Sequence, residues 1–190
     1  MVKRAEAVDE NRQRIIEAAV RLHGTVGPAQ TTVAGIAREA GVTRVTVYRH
    51  FPDEQAIYAA CSAHWLSGQV LPDPAAWKGI HDPVERLRFG LADVYRFYRA
   101  GEATLTRVYR DKDHLAPERR QALDQRDVHF RDVLLEGFTD DEARRRRLSA
   151  VLGHAVRFWT WRSLCVDQGL ADREAVEAMT ALAEATATPW

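Results

Sequence analysis

The sequence predicts an all-α fold, and three observations carry that prediction. Apolar residues recur at spacings of three and four in nearly every segment. Helix signals, with Asp, Thr or Pro ahead of an apolar stretch and Gly behind it, bracket those segments. No run of Val, Ile and Thr alternates long enough to compel a strand. With 190 residues, 46% of them hydrophobic and 28% charged, the chain has enough apolar mass to bury a core.

The elements follow in order. In "DENRQRIIEAAVRLHGTVG", Asp9 is placed to cap a first helix in which Ile15, Ala19, Leu22 and Val26 share a face, and Gly24 and Gly27 end it. Thr31 or Thr32 opens a second helix carrying Val33, Ile36 and Ala37, closed at Gly41. Thr43 opens a third that runs to about Phe51, and Pro52 with Asp53 starts a fourth. The stretch 67–83, "SGQVLPDPAAWKGIHDP", concentrates Gly and three prolines and reads as a domain boundary, giving domains 1–66 and 67–190. Pro83 then begins a helix in which Leu87, Leu91, Val94 and Tyr98 share a face. Gly101 is expected to break it, with a short helix beyond. Pro117 starts a long helix to about Phe138, residues 142–168 read as one continuous helix, and a last helix follows Asp172.

Composition narrows the function classes. The opening residues contain no apolar signal-peptide core, and no stretch approaches the ~18 apolar residues of a membrane span, so a cytoplasmic, nucleoid-associated protein is expected. Cys61 and Cys165 are too few for a disulfide framework. Cys61 and His64 stand three apart but supply only two ligands, so no metal is expected. Nor is any cofactor, since no phosphate loop is present, and no catalytic Ser/His/Asp order or paired carboxylates argue for an enzyme. The chain holds 27 basic and 27 acidic residues, and residues 1–55 hold eight against seven. A nucleic-acid face must therefore arise from local placement rather than bulk charge.

"TTVAGIAREAGVTRVTVYRHF" concentrates the functional signal. Helices of eight or nine residues are marginal alone and survive only when packed. Ala37 is small where two helices cross, Gly41 suits a left-handed turn, and Val42 and Val47 point back to a three-helix core. The pattern is that of a helix-turn-helix over about 32–51, with its second helix free to enter a major groove. Candidate DNA-binding residues are Thr32, Thr43, Arg44, Val45, Thr46, Tyr48, Arg49 and His50. The threonines offer hydroxyls at helix starts, Arg44 the fork that matches guanine, and Tyr48 and His50 donors for phosphate oxygens.

"TTVAGIAREAGVTRVTVYRHFPDEQAIY" resembles the N-terminal domain of the TetR family of bacterial transcriptional regulators, whose pattern runs Thr-Val-x-x-Ile-Ala-x-x-Ala-Gly-Val-Ser/Thr and then Thr-Leu/Val-Tyr-x-His-Phe. The likeness covers about residues 10–65. It departs at Val45, where the family commonly has glycine, and at Glu54, where the family has a phosphate-binding lysine. The resemblance implies a ligand-responsive repressor that binds a palindromic operator as a homodimer and is released by a small hydrophobic effector.

In the second domain, Leu148, Leu152, Ala155 and Trp159 form one stripe of the 142–168 helix, and Val151, Phe158, Trp161 and Cys165 a second. A second stripe wants a partner, and Val176, Met179 and Ala183 offer a matching face, so these seven are expected at a twofold four-helix interface. An effector cavity is expected among Phe89, Tyr95, Tyr98, Arg107, Tyr109, His129, Phe130 and Trp159. "RRRR" at 144–147 reads as a solvated face.

Overall fold

Helix α1 (Val2–Thr25) opens a computed structural model that describes residues 2–188, with side chains from residue 9 onward. It begins well before the expected cap: Asp9 lies inside the helix, because Ala, Glu, Lys and Arg ahead of it are good helix formers and extend it. A 3₁₀ turn (Pro28–Gln30) leads to α2 (Val33–Ala40), α3 (Arg44–His50) and α4 (Glu54–Ser67). Then come α5 (Pro74–Lys78), α6 (Pro83–Arg110), a 3₁₀ turn (Lys112–His114), α7 (Pro117–Leu135), α8 (Glu142–Ala155), α9 (Phe158–Arg162), a π turn (Ser163–Asp167) and α10 (Asp172–Ala187). Among the described residues every regular element is helical, as the periodicity predicts.

Two compact units result. Among the described residues, the first comprises those up to Val70 together with Gly101–Pro117, and the second Leu71–Ala100 together with those from Glu118 onward. A linear split at 66 therefore leaves the stretch 101–117 out of the first unit.

The first unit is built on one apolar cluster. Ile15, Ile16, Ala18 and Ala19 of α1 meet Val33, Ile36, Ala37 and Ala40 of α2, Val47 of α3, Phe51, and Ile57 and Cys61 of α4. Gly101 does not break α6. A β-carbon there would lie within 2.9–3.0 Å of the Trp65 ring, so glycine serves close packing rather than termination. Beyond it, Arg107 Nε donates to the Thr25 carbonyl (2.7 Å) and Arg110 Nη2 to the Val26 carbonyl (2.9 Å). Asp111 accepts the Ala29 N–H (3.0 Å), so residues 107–111 hold the C-terminal end of α1 and the turn that follows it.

His23 is 9% exposed, with Nδ1 3.2 Å from the Cys61 thiol and its ring 5.2 Å from Tyr58. Burial pushes its pKa down from 6.5 to about 4. The folded state thus favours neutral histidine, a preference fully in place above pH 6.5 and lost as pH falls towards 4. Acidification across that window is expected to remove about 3 kcal/mol of stability. Urea unfolding of wild type and His23→Phe at pH 7 and pH 4.5 checks this: the variant should show a visibly flatter pH dependence, and parallel curves would discard it.

The second unit contains two departures from the sequence reading. The expected linker holds α5, capped by Asp73 and anchored by Trp77, which is fully buried and donates from Nε1 to Asp93 (3.0 Å). One short turn with one anchor is too brief to register as periodicity. The expected 142–168 helix is broken between Ala155 and Phe158, where Arg157 turns extended (φ −78°, ψ 142°). Buried tyrosines make that break tolerable: Tyr95 Oη donates to the Ala155 carbonyl (2.9 Å) and Tyr98 Oη to the Val156 carbonyl (2.7 Å).

Past the break, one carboxylate ties four elements together. Asp172, the first residue of α10, accepts from Arg99 of α6 (2.8 and 3.3 Å) and from Trp161 Nε1 of α9 (3.0 Å). The Cys165 thiol of the π turn also bonds to it. Burial raises the Asp172 pKa, but the Arg99 and Trp161 hydrogen bonds outweigh it and hold the carboxyl below its usual value. Burial first, then the Asp172 carboxylate, pushes the Cys165 thiol up to about 12 and leaves it inert.

Candidate nucleic-acid interface

The α2–turn–α3 segment is fixed by its own backbone. Thr32 caps α2 by accepting the Gly35 N–H (3.0 Å), and Thr43 caps α3 by accepting that of Thr46 (3.1 Å). Gly41 sits in the left-handed region (φ 66°, ψ 36°). The Gly41 N–H reaches the Arg38 carbonyl (3.2 Å) and the Val42 N–H the Ala37 carbonyl (2.9 Å), the paired bonds of a Schellman C-cap. Arg14 of α1 completes the corner by donating to the Ala40 and Gly41 carbonyls. Sequence reading missed that role, because nothing within α1 signals a partner 26 residues away.

α3 buries one side chain, Val47, and is held by it. Arg44, Val45, Tyr48 and Arg49 share the opposite, exposed face, with Val45 68% and Tyr48 51% exposed. Thr32 and Thr43 are exposed at the caps, while Thr46 and His50 are half-buried at the flanks. The eight sequence candidates therefore fall on one short segment, with four forming its outer surface.

The local charge now has an explanation. Arg12 stacks on Phe51 (5.2 Å), Arg14 caps α2, and Arg21 pairs with Glu39 (2.9 Å). Asp53 is spent capping α4 through the Ala56 N–H (2.7 Å). Arg38, Arg44 and Arg49 stay exposed and have no protein partner among the described residues. The α2–α3 pair thus carries three exposed cations with no ion pair among the described residues, within a neutral chain. Arg38 was not among the candidates; its exposed position on α2, beside buried Ala37, was the available signal. Glu54 is exposed in the first turn of α4, where it favours the helix dipole.

The expected effector cavity is not assembled. Tyr95 and Tyr98 are fully buried and committed to carbonyls, and Phe130 packs on Trp77 (5.1 Å). Phe89 and Trp159 are half exposed, and Arg107 and Tyr109 belong to the first unit. His129 lines an open groove of about 550 Å³ along α7 with Gln121, Asp124, Gln125, Val128 and Asp132.

The expected dimer stripe is also spoken for. Phe158, Trp161, Cys165, Val176 and Ala183 are buried within a single chain, and Phe158 packs on Tyr98 (5.4 Å) and Trp161 (5.5 Å). Phe158, Trp161 and Cys165 follow the break at Arg157, and Val176 and Ala183 lie on α10, so all five are covered within one chain. Val151 and Met179 remain half-buried. Cys61 faces His23 rather than His64, which is exposed, and no metal-binding cluster occurs among the described residues.

Comparison with known proteins adds the following. Residues 15–61 match the family model described as bacterial regulatory proteins, tetR family. The chain is 31% identical over 113 residues to the HTH-type transcriptional regulator HbdR of Aromatoleum sp. (strain CIB), covering 60% of this chain and 49% of that protein. It is 40% identical over 74 residues to the HTH-type transcriptional regulator SrpR of Pseudomonas putida, covering 37% and 35%. The chain thus spans about half, or less, of the length of these relatives. Over nearly the whole chain the fold is shared with two solved structures. One is the TetR family transcriptional regulator PfmR of Thermus thermophilus (TM-score 0.60, 22% identity, covering 90% and 97%). The other is NalD, the secondary repressor of the MexAB-OprM multidrug efflux pump in Pseudomonas aeruginosa (TM-score 0.59, 20%, covering 95% and 97%).

Proposed function

We propose that this chain, whose residues 15–61 match the tetR family model, is a TetR-family sequence-specific transcriptional repressor acting in the cytoplasm on nucleoid DNA. The observation that carries this reading is the outer face of α3: four exposed side chains on a helix whose caps, corner and core anchor are all satisfied internally. Such a helix is preorganised to enter a major groove without refolding. Arg44 reads guanine, Arg38 and Arg49 meet backbone phosphates, and Tyr48 donates to a phosphate oxygen.

The protein acts as a homodimer on a palindromic operator, with its two α3 helices about 34 Å apart to meet successive major grooves. The dimer face lies on the outer surface of α8 and α10. Val151 and Met179 contribute its half-buried positions, and Ala178, Ala181 and Leu182 its exposed apolar ones. A small, largely hydrophobic effector in the second unit favours a head spacing that does not fit the operator, through a coupling of about 1–3 kcal/mol.

A titration of the full-length protein against duplexes enriched from a random pool, and against scrambled duplexes, at several salt concentrations tests this. Strong preference for the enriched duplex with a steep salt slope is expected. Equal affinity for both would reject it in favour of the second reading, an interaction protein whose DNA head is inactive, which the neutral chain and exposed Glu54 motivate.

A further inference from the structure

We propose that Val45 is a base-reading residue that selects thymine by packing its isopropyl group on the C5-methyl in the major groove; this rests on the repressor reading above. In α3, Val45 is the one aliphatic side chain facing solvent, and at 68% exposure it contributes little to the core. A β-branched residue is also no help to a seven-residue helix, where alanine would serve better. Neither packing nor helix propensity accounts for it, so its apolar surface is buried only when something docks.

Its neighbours define what docks. Tyr48 and Arg49 lie three and four residues on, along the same side of the helix, and Arg44 precedes it, so the isopropyl group sits within a positive, hydrogen-bonding surround. That surround suits a polyanion presenting an apolar group, and a duplex has one such group, the thymine methyl. The nearby hydroxyls do not compete for that contact. Thr43 Oγ1 and Thr46 Oγ1 are 2.9 Å apart and hydrogen-bonded to one another, and Thr43 Oγ1 also accepts the Thr46 N–H (3.1 Å). With those groups engaged, the central part of the face reads by shape.

Replacing thymine by uracil removes only the methyl and keeps every Watson–Crick and groove hydrogen bond. The test uses full-length protein and duplexes enriched from a random pool, with each thymine replaced in turn by uracil. One position per half-site is expected to lose about fourfold in affinity, the worth of one buried carbon of this size, or roughly fifteenfold when both half-sites are changed. Val45→Ala, whose exposed site and better helix propensity keep α3 folded, should bind thymine and uracil duplexes alike with an unchanged salt slope. Two results would overturn the proposal while sparing the repressor reading: an enriched pool in which no uracil substitution matters, or a Val45→Ala protein that discriminates as wild type does. A pool that never enriches sinks both.

Discussion

Arg44→Ala is expected to weaken binding to an enriched duplex by about 1–3 kcal/mol in each half-site and to relax base preference at one position there. Arg44 is the first residue of α3, exposed and without a protein partner among the described residues, so its removal costs the fold little. The loss therefore reports the DNA contact alone. Titration against duplexes altered one base pair at a time measures it. A loss of the same size on every sequence, with the salt slope lowered by about one charge per half-site, would move Arg44 from the bases to the phosphates. Sedimentation of the variant should find the same assembly state as wild type. Dissociation would contradict the separation of DNA reading from dimerisation.

Asp172→Ala carries the largest expected effect on stability, about 2–4 kcal/mol of unfolding free energy. Three donors converge on this carboxylate, and they do not suffer equally. Arg99 is about two-fifths exposed and can turn to water. Trp161 is fully buried, and its Nε1–H is left without an acceptor. Loss of the carboxylate also frees the π turn through Cys165. Asp172→Asn keeps an acceptor for Trp161 and should fall between wild type and alanine in urea denaturation. A cost below about 1 kcal/mol for alanine would mean that packing of Phe158 and Trp161 holds this corner without the hub.

The parts of the molecule legible in the sequence are those encoded locally. Thr32, Gly41 and Thr43 announce their caps and turn through side chains acting within four residues, and the α2–α3 pair follows the reading almost to the residue. The illegible parts depend on distant partners. Gly101 looks like a helix breaker until Trp65 is seen against it. The continuous apolar run from 142 to 168 hides a break that two tyrosines 58 and 60 residues upstream make stable. The same break buries Phe158, Trp161 and Cys165, which explains why a stripe counted on an ideal helix named the wrong outward face. At the candidate site, the face of α3 was readable because one buried residue, Val47, fixes its rotation. The cavity residues were not, because a hydroxyl suited to a ligand is equally suited to a stray carbonyl.

The central claim is that two α3 helices engage one face of the duplex together, one helical repeat apart. Inserting five base pairs between the half-sites of an enriched palindrome turns them to opposite faces while keeping every base contact available singly. Affinity falling to that of an isolated half-site, and recovering in part when ten base pairs are inserted, is the predicted result. Affinity unchanged by the five-base-pair insertion would contradict the account.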